Sequence, residues 1–249
     1  MEKSRAQWDK NWAEKGLERE INNVSENSCD PHIKTHFPFI THILRNLPKN
    51  GVALEAGCGL GQWVFYAEKL GCQSIGLDFT VNTLRLVQRY AARRNSKSTF
   101  VLGDIQNLPF ESESFDCVLS FGVIEHFVDP SSILREMYRV TKPSGKVLIT
   151  TPNLYCSHTF SRPISKLLGK WNLCYETSYS PRQLGHLMED VGFVINSEGV
   201  MVGGELFGTA PKLVPLIGPF LHDGLTGIST YVEKKTNLFG FWSYVIVER

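Results

Sequence analysis

Ala53-Leu54-Glu55-Ala56-Gly57-Cys58-Gly59-Leu60-Gly61-Gln62 decides how this chain folds. Val52, Ala53 and Leu54 form a short apolar run ahead of three glycines at alternate positions. Trp63, Val64, Tyr66, Ala67 and Leu70 then recur at helical spacing. The pattern predicts strand, tight turn, helix. Glycine lets a backbone take positive φ and approach a ligand that any Cβ would hold off, and the helix N-terminus beyond it offers unpaired N–H groups. A turn of this kind suits a bound nucleotide.

On either side of the turn the chain alternates apolar strand and amphipathic helix, which calls for a mostly parallel sheet covered on both faces. Strands are expected at 51–56, 73–78, 99–103, 115–120, 146–151, 193–201 and 239–247. Helices are expected at about 80–94, 131–140 and 181–191. Upstream, Pro31 to Leu47 reads as an amphipathic helix that Pro38 kinks or divides. Residues 3–16 carry Trp8 and Trp12 on one face of a further helix ending at Gly16, and 17–30 read as a polar loop.

Spacing narrows the ligand. A dinucleotide fingerprint needs G-x-G-x-x-G and a phosphate loop needs Lys followed by Ser or Thr, whereas here Gly57-x-Gly59-x-Gly61 runs into Gln62. Glu55 precedes the first glycine, and Asp78 closes the next strand in Ser74-Ile75-Gly76-Leu77-Asp78, with Phe79 following. Over residues 50–153, with a weaker echo at 178–195, the sequence resembles the class I S-adenosylmethionine-dependent methyltransferases, small-molecule type, the group that includes the ubiquinone and menaquinone biosynthesis enzymes. The resemblance implies a Rossmann-like, doubly wound, seven-stranded α/β sheet whose last strand is antiparallel and inserted between its neighbours.

Open α/β sheets bind ligands at the carboxyl ends of their strands, so Glu55, Gly57, Gly59, Gly61, Asp78, Asp104 and Phe121 are expected to converge there. Asp78 stands at the spacing where a carboxylate meets ribose hydroxyls. The resemblance implies that Asp104 takes the adenine amine and that Ile105 lies against the ring. It also places catalysis at Glu125-His126, as base or orienting pair, or as residues that only shape the pocket. The resemblance implies a metal-binding acid three residues earlier in the ubiquinone-type enzymes; here that position is Gly122, and no metal site is expected. A sulfonium is an activated leaving group, so catalysis rests on in-line positioning, with a base needed for a phenol or alcohol and dispensable for an amine.

A single domain is expected over 1–249: N-terminal helices in 1–47, a cofactor-binding core in 48–153, and substrate-lid segments at 154–180 and 201–237. The first lid segment holds Tyr155, His158, Phe160, Trp171, Tyr175 and Tyr179; the second holds Phe207 and the apolar run 213–221. These suit a sizeable, partly apolar or aromatic small-molecule acceptor, methylated at oxygen. Packing or a homo-oligomer contact through 201–237 is the alternative use. Trp8 and Trp12 either dock their helix on the core or roof the cofactor.

A net charge of +1 speaks against a nucleic-acid surface. The six cysteines include no C-x-x-C pair, so neither disulfides nor structural zinc are expected. With no apolar leader and no 18-residue apolar run, a cytoplasmic protein without a transmembrane segment is expected. Two other functions fit the same glycine turn: a non-catalytic S-adenosylmethionine-binding scaffold and an NAD-dependent oxidoreductase, the latter disfavoured by the glycine spacing.

Overall fold

The computed structural model describes residues 6–10, 24, 25, 27, 28, 30–156, 159, 162, 163, 166, 167, 175–201 and 240–249. Trp12, the 17–23 stretch, His158, Phe160, Trp171 and nearly all of the 201–237 segment lie outside them.

Helix α1 spans Pro31–Arg45. Asp30 starts it by accepting the His32 and Ile33 backbone N–H groups on Oδ1 at 2.8 and 3.2 Å, and Pro31 occupies a first-turn position where no N–H is needed. Pro38 does not divide it. The helical pieces that follow are α2 (Gln62–Lys69), α3 (Val81–Arg93), α4 (Ser131–Val140) and α5 (Pro181–Glu189). The strands are β1 (Val52–Ala56), β2 (Gln73–Asp78), β3 (Thr99–Leu102), β4 (Phe115–Phe121), β5 (Thr141–Pro152), β6 (Val194–Met201) and β7 (Trp242–Glu248).

These seven strands form one sheet in the order β3-β2-β1-β4-β5-β7-β6. The pairings from β3 through β5 are parallel, and β7 runs antiparallel to both β5 and β6. The expected inserted last strand is therefore present. It starts at Trp242, and β5 begins earlier than expected, at Thr141, because Thr141 already pairs with Phe115 across an irregularity in register.

Alternation along the strands feeds two layers. Leu54, Val118, Val147, Ile149, Val245 and Val247 pack with Ile133, Leu134 and Met137 of α4 and Leu184 and Met188 of α5. Ala53, Cys117, Leu119 and Leu148 face the other way, onto Ile33 and Ile40 of α1 and Trp63 and Tyr66 of α2. A third cluster seats Leu84, Val87 and Ala91 of α3 against Val64, Cys58 and Phe100.

The chain winds outward from β1 to β3, then returns to place β4 on the opposite side of β1. The crevice at that reversal is where such sheets bind ligands.

Candidate active site

The glycine turn is drawn tight from below. The Gly57 and Cys58 N–H groups donate to the Leu77 carbonyl at 2.8 and 2.9 Å, and Gly61 N–H donates to the Cys58 carbonyl at 2.8 Å. Gly57, Gly59 and Gly61 have φ of 86°, 48° and 70°, in the left-handed region that a Cβ disfavours.

Asp78 is the hub beside that turn. Buried at the end of β2, it accepts the Gly59 N–H on Oδ2 at 2.8 Å, and the Thr80 N–H and hydroxyl on Oδ1 at 2.9 and 2.6 Å. One carboxylate thus ties the glycine turn to the start of α3.

A cavity of about 610 Å³ opens over these strand ends. Glu55, Gly57, Asp78, Phe79, Asp104, Ile105 and Phe121 all line it. Gly59 and Gly61 are not among its lining residues. Gly59 is held through its N–H by Asp78, and a Cβ on Gly61 would meet Phe100 at 2.6 Å, in the core. Both shape the turn from behind.

Glu55 is buried, and its Oε2 has no hydrogen-bond partner among the described residues. Burial pushes its carboxyl well above the usual range, nearby Asp78 adds to the rise, and the Val64 N–H opposes it. Asp104 is exposed at the rim, its Oδ1 accepting the Gln106 N–H at 2.9 Å, while Ile105 is buried beside it.

After β4 comes a 3-10 turn, Ile124–His126, which sends its two ionisable side chains in different directions. His126 lines the cavity. Its Nδ1 donates to the Tyr175 carbonyl at 2.8 Å, which leaves the Nε2 lone pair as the acceptor of a neutral imidazole. Burial lowers its pKa below the ordinary 6.5, against the pull of the Tyr175 carbonyl. Glu125 is not among the residues that line the cavity. It is 2% exposed, its Oε2 lacks a partner among the described residues, and burial raises its pKa well above the usual carboxylate range.

Trp8 lines the cavity with its ring edge-on to His126 at 5.1 Å, and Asp9 beside it accepts from Asn82 at 3.0 Å and Thr83 at 3.4 Å at the start of α3.

Sequence reasoning missed the far wall. His32 and His36 come from α1 and Trp242 from the first residue of β7. The Trp242 indole N–H donates to His32 Nδ1 at 3.1 Å. His36 is fully buried: its Nδ1 donates to the His32 carbonyl at 2.7 Å, and its Nε2 accepts from the Thr150 hydroxyl at 3.0 Å. Desolvation lowers its pKa to about 4, so it is neutral at pH 7. The signal available in the sequence was the four-residue spacing of the two histidines on one amphipathic helix.

A family model described as a methyltransferase domain matches residues 54–149, the span that runs from β1 through most of β5. Over that span the chain is similar to S-adenosylmethionine-dependent methyltransferases. Relatives of the domain include the probable S-adenosylmethionine-dependent methyltransferase of Mycolicibacterium smegmatis, 32% identical over 154 residues, which are 61% of this chain and 56% of that protein. The demethylmenaquinone methyltransferase of Staphylococcus epidermidis is 40% identical over 108 residues, 41% of this chain and 44% of that one. The chain thus spans about half the length of the curated relatives it matches. In fold, the domain is similar to the structure of a methyltransferase in complex with the Haloferax volcanii Trm112 methyltransferase activator, with a TM-score of 0.68 at 18% identity, covering 98% of this chain and 96% of that one.

Among the described residues no group of three or more His, Cys, Asp or Glu could hold a metal ion, and no helix is long and apolar enough to cross a membrane. Cys58, Cys72 and Cys117 are free thiols; Cys29 and Cys174 lie outside the described residues.

Proposed function

We propose that this chain transfers the methyl group of S-adenosylmethionine to an oxygen of a small, partly apolar or aromatic acceptor by in-line displacement. The observation that carries the reading is a neutral imidazole, His126, with its Nε2 lone pair left as acceptor on the wall of the cavity that the glycine turn and Asp78 also line. An alcohol or phenol gains from such a base, whereas a free amine has no use for one.

The donor, when bound, supplies a methyl group on a positively charged sulfur. The unpartnered Oε2 of Glu55 and the close backbone of Gly57 fit its methionine end, where a buried carboxylate oxygen gains a hydrogen-bond donor. Asp78 Oδ2 has a lone pair left for a ribose hydroxyl beyond those used on Gly59 and Thr80. Asp104 takes the adenine amine, with Ile105 and Phe79 against the ring; Phe121 closes the site from β4. His126 Nε2 takes the acceptor proton as the oxygen bonds to the methyl carbon and the carbon–sulfur bond breaks toward sulfur, leaving S-adenosylhomocysteine. The aromatic wall of Trp8, Phe121, Tyr175 and Trp242 seats the rest of the acceptor.

The test is a thermal melt with S-adenosylhomocysteine and with NAD, followed by transfer of a labelled methyl group to a panel of phenols, alcohols and amines. At 100 times its dissociation constant S-adenosylhomocysteine adds roughly 2.7 kcal/mol, and NAD adds nothing. Labelled phenol or alcohol supports the full reading. Binding without turnover on any acceptor leaves a cofactor-binding scaffold, and labelled amines alone would overturn the assignment to oxygen.

A further inference from the structure

The segment after His126's partner is held by a buried cation. Arg162 donates through Nη1 to the Glu176 carbonyl at 2.7 Å and through Nη2 to the Ser178 hydroxyl at 2.7 Å, and its guanidinium lies 3.0 Å from Glu176 Oε1. The two side chains are only 11% and 3% exposed, so the pair sits out of water. From the other side, Thr177 N–H donates to the Glu125 carbonyl at 2.9 Å, joining the segment to the 3-10 turn. Tyr179 anchors the far end: its N–H reaches the Pro152 carbonyl at 3.2 Å, and its carbonyl accepts the Ser243 hydroxyl at 2.7 Å.

These bonds hold residues 176–179 in place. The carbonyl that fixes the His126 ring belongs to Tyr175, the residue next to Glu176. Which imidazole nitrogen carries the hydrogen depends on what the other faces, so a carbonyl at Nδ1 commits the lone pair to Nε2.

We propose that Arg162 and Glu176 are positioning residues that set the tautomer of His126 by clamping the Tyr175 carbonyl against Nδ1. This rests on the reading of His126 as the base, and it gives the 154–180 segment a task beyond covering the acceptor. Arg162 carries that task because a guanidinium can bond in two directions at once; Lys in its place keeps the charge and loses the fork. The charged and titratable groups around His126 are Arg162 and Glu176 on the segment and Glu125 on its own turn, with uncharged Trp8 on the opposite face. Arg162 and Glu176 act on the His126 charge in opposite directions, and the clamp they form acts through geometry.

The experiment records ring ¹⁵N shifts of His126 in the full chain saturated with S-adenosylhomocysteine at pH 7.5, with His126→Gln for assignment. Wild type is expected to hold the hydrogen on Nδ1. Arg162→Lys and the milder Ser178→Ala are expected to yield mixed tautomers. With an active acceptor, kcat is expected to fall at least tenfold in Arg162→Lys, while KM for the donor and the melt shift with S-adenosylhomocysteine stay at wild-type values. A wild-type hydrogen on Nε2, or an unchanged tautomer in both variants, would overturn the proposal. If His126→Gln retains wild-type kcat, the base reading fails, while the ¹⁵N shifts still decide whether the clamp sets the tautomer. Should Arg162→Lys fail to fold, Ser178→Ala, which removes the hydroxyl that accepts from Arg162 and pairs with Thr159 Oγ1, carries the test.

Discussion

Gly57→Ala tests the coupling between the glycine turn and the turn that carries His126. At φ of 86° an alanine pays the left-handed penalty of about 1–2 kcal/mol. Its Cβ would also stand 2.5 Å from Val123 Cγ2, well inside contact distance. Val123 is branched at Cβ and stiff at χ1, so the methyl cannot swing away cheaply, and relief needs the backbone between β4 and the 3-10 turn to move. Overpacking of this kind costs about 1–3 kcal/mol. The sum is a loss of about 2–5 kcal/mol, and the displaced segment leads directly to His126. Urea unfolding at 25 °C should therefore show Gly57→Ala strongly destabilised in the wild-type background. In a Val123→Ala background only the φ penalty should remain, so the double-mutant cycle should give a favourable coupling of about 1–3 kcal/mol. Additivity of the two substitutions within about 0.5 kcal/mol would refute the reasoning, because it would mean that the two turns do not touch as described.

Three further outcomes are expected. Asp78→Asn leaves one acceptor oxygen where two served the Gly59 N–H and the Thr80 donors, at a cost of about 1–3 kcal/mol and a weakened melt shift with S-adenosylhomocysteine; an unchanged melt would remove Asp78 as the hub. His36 titrates near 4 in the fold and at 6.5 when unfolded, so as pH drops through 6.5 the unfolded chain takes the proton first and up to about 3 kcal/mol of stability drains away by pH 4. Urea midpoints at pH 7.5 and 4.5 should diverge less for His36→Gln than for wild type, and equal divergence would mean that another group drives the loss. Because His126 has a lowered pKa and must be neutral to act, kcat/KM should rise with pH through a value below 6.5 and stay flat above neutrality until other groups titrate; a limb rising above pH 7 would argue against it as the base.

The cofactor side of the cavity was legible in the sequence because its residues are set by local rules. Glu55, Gly57, Asp78 and Asp104 sit at strand ends whose apolar runs have a clear beginning and end, and a parallel sheet brings such ends together whatever else the chain does. The opposite wall obeyed no local rule. His32, His36 and Trp242 meet because β7 slots between β5 and β6, so contacts across more than two hundred positions of chain decide their neighbours. Glu125 and His126 looked alike on paper, adjacent and ionisable. A three-residue 3-10 turn separates them, one toward the cavity and the other into a dry pocket beside Glu176 and Arg162, and nothing at the level of spacing announces that turn. Pro38 misled in a simpler way. At an exposed position of a helix already held by a good N-cap and a buried face of Ile33, Ile40, Ile43 and Leu44, one missing N–H is not enough to break it.

A strand that runs against its neighbours starts where they finish. Met201 at the end of β6 and Trp242 at the start of β7 are register partners, opposite Pro152 at the end of β5, so the chain leaves and re-enters the sheet at the cavity's own edge. Both attachment points are a single strand spacing apart, so the length of chain between them can change without asking the sheet to change. Reversing one strand therefore separates two kinds of heredity in this molecule: the frame that must fold is fixed by the strands, while the seam between β6 and β7 can be rewritten beside the cavity.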